Sequence, residues 1–483
     1  MKGSALYIFA LVAVAGAFSF SVLMGESVRL DEAQSVWQTS RDLGGVLHVI
    51  AKDVHMPLYF VILHYWEAFF GTSEAAIRSL SLLFFLASIP AVYRLASAAY
   101  SHRVAVYASF LCALSPFLNW YGSEARMYSL LFLVTVLSHL SFILLWREPR
   151  RGLWVGYGFV TLLGVLTHPF FAFIVVSQAL FFFARRDVFG EGPWLKGFGG
   201  VAVVVGVSGA FWIWYRNVAG AGLSNPLLSP PTSADFFNVF SNFFIGFQTD
   251  AVNTFVLSLW PLLVFAAFTL ISRKKQSEPE TSYFLIASFL PIALAILVSL
   301  TYRPVFLSRY LVVSLPSIYL LSVHFLSSYK KRAGEIALAA LSAAAVLMLV
   351  LQTVDPGSPV KEDYRSVARY VEARADADDL FVVSAPFLTY PVEYYYRGAP
   401  RLATFPRWQR YTKDNLPEPY SPELIERDSA GWAKVYEHVY LLLGYDQGYE
   451  EEVRIYMDEH FERVGMETFS PGLSLYIYRL RYL

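Results

Sequence analysis

The chain is short of charge, short of cysteine and without a net electrostatic sign. Only 16% of its 483 residues are Asp, Glu, Lys or Arg. A soluble domain averages about 25%, so most of this chain is not built to dissolve in water. Lys plus Arg and Asp plus Glu number 38 each. That balance gives no overall basic field for nucleic acid and leaves the local distribution of charge as the informative part. The one cysteine, Cys112, sits inside an apolar run, which excludes a disulfide framework and a cysteine-based metal site. The glycine fingerprints of a nucleotide site are missing, so no nucleotide cofactor is expected. The first apolar stretch, 5–24, lacks a small-residue cleavage site, so it reads as a retained membrane span and not as a signal peptide.

Long apolar runs dominate instead; 56% of the residues are hydrophobic and 17% aromatic. Runs able to cross about 30 Å of hydrocarbon occur near 5–24, 75–99, 103–120, 127–146, 195–215, 253–271, 282–301, 307–328 and 336–354. The stretch 153–184 is too long for one span and is interrupted by "THPFF". Pro169 supplies no backbone N–H, so a tight turn at His168–Pro169 between two helices is expected. The total is eleven spans.

Basic clusters fall on every second linker: Arg94 with Arg103, "REPRR" (147–151), "RRD" (185–187) with Lys196, "SRKK" (272–275) and "YKKR" (329–332). This is the positive-inside pattern, and Lys2 places the N-terminus on the same, cytoplasmic side. The outer segments are then 25–74, 121–126, the His168 turn, 216–252, 302–306 and the tail after about 355. The segment "MPLYFVILHYWEAFF" (56–70) would invert all later clusters if it crossed, so it is expected to lie at the outer interface as a juxtamembrane helix. The chain thus divides into a transmembrane domain, 1–355, with first outer loop 25–74, and an extracytoplasmic domain, 356–483. In that domain "DYRSVARYVEARA" and "YEEEVRIYMDEHF" read as helices, and "LFVVSA", "HVYLLLG" and "SLYIYRL" as strands. Alternating strands and helices predict a small α/β fold.

The outer rim carries the candidate chemistry. Asp31 and Glu32 form an acidic pair just beyond the first span. They suit helix capping and, equally, a general base that deprotonates an acceptor hydroxyl. Glu124, Arg126 and Tyr128 stand in the short turn "YGSEARMYSL", where charge is costly and usually has a purpose. His168 occupies the next outer turn, and His55 opens the interfacial helix. A divalent metal held by Asp31, Glu124 and His168 is one use of this set, although the three are distant in sequence. Arg303, Arg309 and Tyr310 follow at the outer end of a later span, where a guanidinium fork suits phosphate as well as lipid head groups.

In order, "RLDEAQSVW", "HMPLYFVILHYW", "GTSEAAIRSLS", "LSPFLNWYGSEARMYSL", "THPFF" and "SRYLVVSLP" resemble the GT-C integral-membrane glycosyltransferases. The resemblance is to their prokaryotic branch, related to protein O-mannosyltransferases and lipid A aminoarabinose transferases. It covers most of 1–355, and the tail looks like the extracytoplasmic domain of many such bacterial proteins. It implies a polytopic GT-C fold in the cell's inner membrane and a polyprenyl-phosphate sugar donor. It also implies transfer on the outer face, usually inverting, to a protein, lipid or glycan acceptor. The family's first-loop acid matches Asp31, implying the base role there with Glu32 as neighbour or substitute. The second-loop acid matches Glu124, where many relatives have Asp, so its role as metal ligand or substrate contact stays open. A flippase of lipid-linked sugars and a membrane sensor with a ligand-binding tail are the alternatives from other classes.

Overall fold

The computed structural model describes residues 2–23, 25–189, 192, 194–219, 228–260, 278–329, 331–355, 358, 361–410, 417–445 and 447–480. The chain divides into two compact units. One comprises Met1–Met24 with Arg41–Pro359, and the other Gly25–Ser40 with Val360–Leu483. The segment Gly25–Ser40, from the expected first outer loop, is therefore part of the same unit as the C-terminal residues.

The first unit is helical. Among the described residues, seven helices are long and apolar enough to cross a membrane: Gly3–Ser21, Glu74–Ala99, Tyr128–Arg147, Trp194–Ala219, Pro279–Thr301, Tyr310–Ser327 and Arg332–Val354. The expected span 103–120 is broken. Helices His102–Ala113 and Pro116–Gly122 meet at 54° and make an eighth crossing only if taken together. Pro116 is the cause, since it lacks a donor and forces Ser115 into an extended conformation (ψ 122°). The break is bridged from within: Asn119 Nδ2 donates to the carbonyls of Ala113 (3.1 Å) and Ser115 (2.8 Å).

Arg151–Thr167 and Phe171–Ala184 form the hairpin expected around His168–Pro169 and are shorter, at 17 and 14 residues. The span expected at 253–271 is described only as far as 260, and the "SRKK" cluster lies outside the described residues. A total of eleven is therefore not reached among the described residues. The segment expected at the interface is the helix Pro57–Phe70. Its 14 residues rise about 21 Å, short of the hydrocarbon thickness.

Helices 128–147 and 310–327 are the most enclosed of the long helices, whereas 194–219 turns Val203, Val207, Phe211 and Trp214 outward. That outward apolar face is what lipid contact requires. The interior is stitched by one chain of polar side chains from several helices. Tyr157 Oη donates to Gln178 Oε1 (2.7 Å), and Gln178 Nε2 donates to Ser138 Oγ (2.9 Å) and Tyr283 Oη (3.3 Å). Tyr283 Oη lies 2.6 Å from His139 Nδ1, and His139 Nε2 lies 3.3 Å from Ser317 Oγ. A single direction satisfies each link: Tyr283 donates to Nδ1, and a neutral His139 donates from Nε2 to Ser317.

The second unit is an α/β sandwich on a five-stranded sheet of order β2-β1-β3-β5-β4, with β1 Leu380–Ser384, β2 Arg401–Thr404, β3 His438–Gly444, β4 Glu462–Ser470 and β5 Leu473–Arg479. β1 runs parallel to β2 and β3, while β5 is antiparallel to both β3 and β4. The three expected strands and both expected helices are present; β2 and β4 were not foreseen. β1 is buried on both faces: Phe381 and Val383 enter one core with Val367 and Val371 of the helix Tyr364–Arg374. Leu380 and Val382 enter the other, with Ile425, Val453 and Met457. A strand covered on both sides reads as an unbroken apolar run, as "LFVVS" does.

Gln178 is the hub of the polar chain, so Gln178→Ala strands the Tyr157 hydroxyl, which donates to it, and removes the amide donor to Ser138 and Tyr283. The expected result is a loss of about 1–3 kcal/mol per stranded group. Thermal unfolding of the full chain in detergent measures it, and an unchanged midpoint would show that the chain contributes no stability.

Candidate functional site

His55 owes its place to the residue pair after it. Met56 is extended (ψ 153°) ahead of Pro57, which opens the helix Pro57–Phe70. His55 therefore lies just before that helix, stacked on Phe60 at 5.4 Å between ring centroids. Arg126 reaches it from the turn after Pro116–Gly122. Its Nη2 is 2.8 Å from His55 Nε2, and its guanidinium carbon lies 5.9 Å from the Phe60 centroid. An arginine can only donate, so His55 Nε2 accepts, and the proton of its neutral ring is on Nδ1. Asp53 stands beside the same nitrogen, 3.7 Å away.

The backbone of Arg126 is pinned independently of its side chain. Ser81 Oγ donates to its carbonyl (3.1 Å) and is itself bonded to Tyr59 Oη (2.8 Å). Arg126 N–H donates to the Glu124 carbonyl at 2.7 Å. Glu124, Arg126 and Tyr128 are all buried, so the turn is enclosed by protein and its charges do not reach out to lipid head groups.

His168 ends the helix Arg151–Thr167 in an extended conformation. The hairpin closes tightly because Gly164 faces the Phe171 ring, where an added Cβ would come within 2.4 Å. Phe170 N–H donates to His168 Nδ1 (3.2 Å), which leaves Nε2–H as the donor of the neutral ring. Burial, then the positive fields of the Arg126 and Arg309 guanidiniums, hold the His168 imidazole well below its ordinary pKa. Two guanidiniums and two imidazoles thus converge at one place. Tyr310 closes the group, 5.0 Å from His168 and 6.4 Å from Tyr128 between centroids, with Arg309 over its ring at 5.7 Å.

Six of the residues expected from sequence are therefore brought together: His55, Arg126, Tyr128, His168, Arg309 and Tyr310. Arg303 belongs to the flank. Arg216, near the end of helix 194–219, lies within the electrostatic reach of both Arg303 and Asp53. Asp53 and Arg216 escaped the sequence reading, although one stands two residues before His55 and the other closes an apolar run.

Asp31 and Glu32 belong to the other unit. They occupy the first turn of the helix Leu30–Thr39, and their roles separate. Glu32 is buried and accepts from the Arg29 backbone N–H at 3.0 Å, which is the capping role. Asp31 is half-buried, and its carbonyl accepts from Ser35 Oγ. Among the described residues, no three His, Cys, Asp or Glu side chains come together as a group able to hold a metal ion. Of the expected ligand set, Asp31 lies in one unit and Glu124 and His168 in the other.

A converging set of cations with aromatic walls, enclosed in apolar helices, is chemically an anion site. Residues 54–214 match the family model of the dolichyl-phosphate-mannose-protein mannosyltransferases. No curated protein matches the sequence. The fold is similar to that of ArnT from Cupriavidus metallidurans in the apo state, with TM-score 0.65 and 12% identity over 99% of this chain and 98% of that one. The same protein bound to undecaprenyl phosphate gives TM-score 0.62 and 13% identity over 98% of each chain. The oligosaccharyltransferase AglB from Archaeoglobus fulgidus, in complex with an inhibitory peptide and a dolichol-phosphate, is more distant. It gives TM-score 0.50 and 14% identity over 91% of this chain and 69% of that one. The chain therefore shares the fold of ArnT.

The depressed His168 pKa has a stability consequence. The unfolded chain takes up the proton near pH 6.5 and the folded chain only at lower pH, so this contribution is complete above that range and is lost on acidification below it. The slope approaches about 1.4 kcal/mol per pH unit. His168→Asn is expected to flatten it, which thermal unfolding between pH 7 and pH 5 in detergent measures; parallel wild-type and variant curves would refute it.

Proposed function

We propose that the protein is a glycosyltransferase that moves a sugar from a polyprenyl-phosphate carrier to an acceptor hydroxyl on the outer face of the membrane, with inversion. The observation that carries this reading is the enclosed group Arg126, His55, His168, Arg309 and Tyr310. It offers guanidinium and imidazole donors inside an apolar unit, where an anion on a lipid tail can arrive by lateral diffusion. The likeness in fold to a protein solved with undecaprenyl phosphate supports the same donor class.

The charge balance of the reaction suits this group. The sugar-linked phosphodiester carries one negative charge, and the departing polyprenyl phosphate gains a second as the bond to the anomeric carbon breaks. Donors fixed around that phosphate therefore bind the departing group more strongly than the ground state, which lowers the barrier. Arg126 and Arg309 are assigned that task, with the His168 Nε2–H as a neutral donor beside them. Asp31 is assigned the acceptor proton. It takes the hydroxyl hydrogen as the oxygen attacks the anomeric carbon from the face opposite the phosphate. Glu32, which accepts from the Arg29 N–H at the helix cap, is assigned the part of a neighbour that supports Asp31. Glu124, Tyr128, Arg303 and Tyr310 are retained as candidate contacts to the donor. The acceptor is a hydroxyl of a protein, lipid or glycan.

Sugar transfer by the full chain in detergent, from a panel of polyprenyl-phosphate sugars, tests the reading. Asp31→Asn is expected to lower turnover by about 10²–10⁴-fold while donor binding persists. Arg126→Ala removes charge-assisted bonds of about 1.5–3 kcal/mol, and is expected to reduce kcat/KM by about 10–150-fold. A run with EDTA tells whether a metal shares the phosphate charge. Donor binding without turnover of any donor by the wild type would favour the flippase reading, and full activity in Asp31→Asn would move the base elsewhere.

A further inference from the structure

We infer that the C-terminal α/β domain is the holder of the catalytic acid: it fixes the helix Leu30–Thr39, and Trp37 and Arg410 are positioning residues for Asp31. The inference rests on the proposed base role of Asp31. The helix is only 10 residues long. An isolated helix of that length is marginal in water, so its order must come from what it packs against.

The docking is made at both ends of the segment. At its start, the Lys361 ammonium, whose side chain is fully buried, pairs with Glu26 at 3.2 Å. The Arg365 backbone N–H donates to Ser27 Oγ (3.3 Å), and its guanidinium donates to the Glu26 carbonyl (3.2 Å). Val28 N–H donates to Tyr395 Oη at 2.7 Å, and Arg29 pairs with Glu362 at 3.3 Å. Leu30 packs on the core cluster that contains Phe381 and Val383.

At the far end, Trp37 meets the Tyr390 ring at 5.1 Å between centroids. The Arg410 guanidinium lies over both rings, 5.3 Å from Trp37 and 5.1 Å from Tyr390, and 6.0 Å from Trp408. Arg410 is itself fixed by Glu393 at 2.6 Å, and Glu393 accepts from Thr389 Oγ1 at 3.3 Å. Leu30, Ala33 and Trp37 are spaced as one helical stripe. Asp31 is about 100° around the helix from Leu30, so docking the stripe sets the direction of the Asp31 carboxylate.

The test uses the full chain in detergent. Trp37→Ala and Arg410→Ala are each expected to lower kcat by about 10²-fold, the cost of a base misplaced by about 1 Å. Donor KM should stay within about twofold, since the phosphate group is untouched. Trp37→Phe, which keeps a ring under the guanidinium, is expected to recover most of kcat. Hydrogen exchange should rise over 30–39 in Arg410→Ala while 438–444 stays protected, which separates release of the helix from unfolding of the domain. Wild-type kcat in both alanine variants beside an inactive Asp31→Asn would overturn the inference alone. An active Asp31→Asn would instead overturn the base assignment beneath it. Equal loss of protection over 438–444 would reduce Trp37 and Arg410 to ordinary core residues and also overturn the inference.

Discussion

A carbonyl or an imidazole inside hydrocarbon has only the protein to bond to, and each bond left unmade costs several kcal/mol. The helical unit is arranged around that requirement. Where Pro116 interrupts a helix, the Asn119 side-chain amide bonds carbonyls on both sides of the break, and Ser19 Oγ donates to Asn119 Oδ1 in turn (2.9 Å). Where Tyr157, Gln178, Tyr283 and His139 meet, each donor faces an acceptor in one consistent direction. The break at Pro116 is therefore a stable feature. It ends the helix early enough for the following turn to carry Arg126 inward, onto His55.

The same low dielectric that makes unmade bonds costly makes the Arg126 and Arg309 group strong. Two guanidiniums near one another repel unless an anion joins them, and the nearby imidazoles limit that repulsion by remaining neutral. His55 does so by accepting from Arg126, and His168 by burial beside cations. The imidazoles thus add hydrogen-bonding groups without adding charge, and the main chain of Arg126 is held by Ser81. In the other unit, a similar division of labour separates two adjacent acids. Glu32 is consumed by the helix cap, and Asp31 is left half-buried on the helix it helps to start.

Much of this was legible in the amino-acid order because hydrophobic length and proline placement act locally. The His168–Pro169 turn, the Pro57 helix start and the doubly buried strands "LFVVS" and "HVYLLLG" all follow from near-neighbour chemistry. What stayed hidden depended on distance or on weak patterning. The bend at Ser115–Pro116 lies inside an unbroken apolar run, so hydropathy passes over it. β4 is an exposed edge strand and lacks the apolar alternation that marks a half-buried one. β2 has only 4 residues. Asp53 and Arg216 look ordinary in their own surroundings and gain meaning only from one another and His55. The union of Gly25–Ser40 with the C-terminal residues has no local signature at all.

That union has a consequence for biosynthesis. Val28 and Tyr395, which share a hydrogen bond, are 367 positions apart. At about 5–20 residues per second, the ribosome needs on the order of tens of seconds to deliver the second after the first. During that interval the acid-bearing segment has no domain to fold against, although the first membrane helices are already made. A truncated chain that stops short of the sheet would leave Gly25–Ser40 without the residues it packs against. Completion of translation thus sets the moment at which that segment can become ordered.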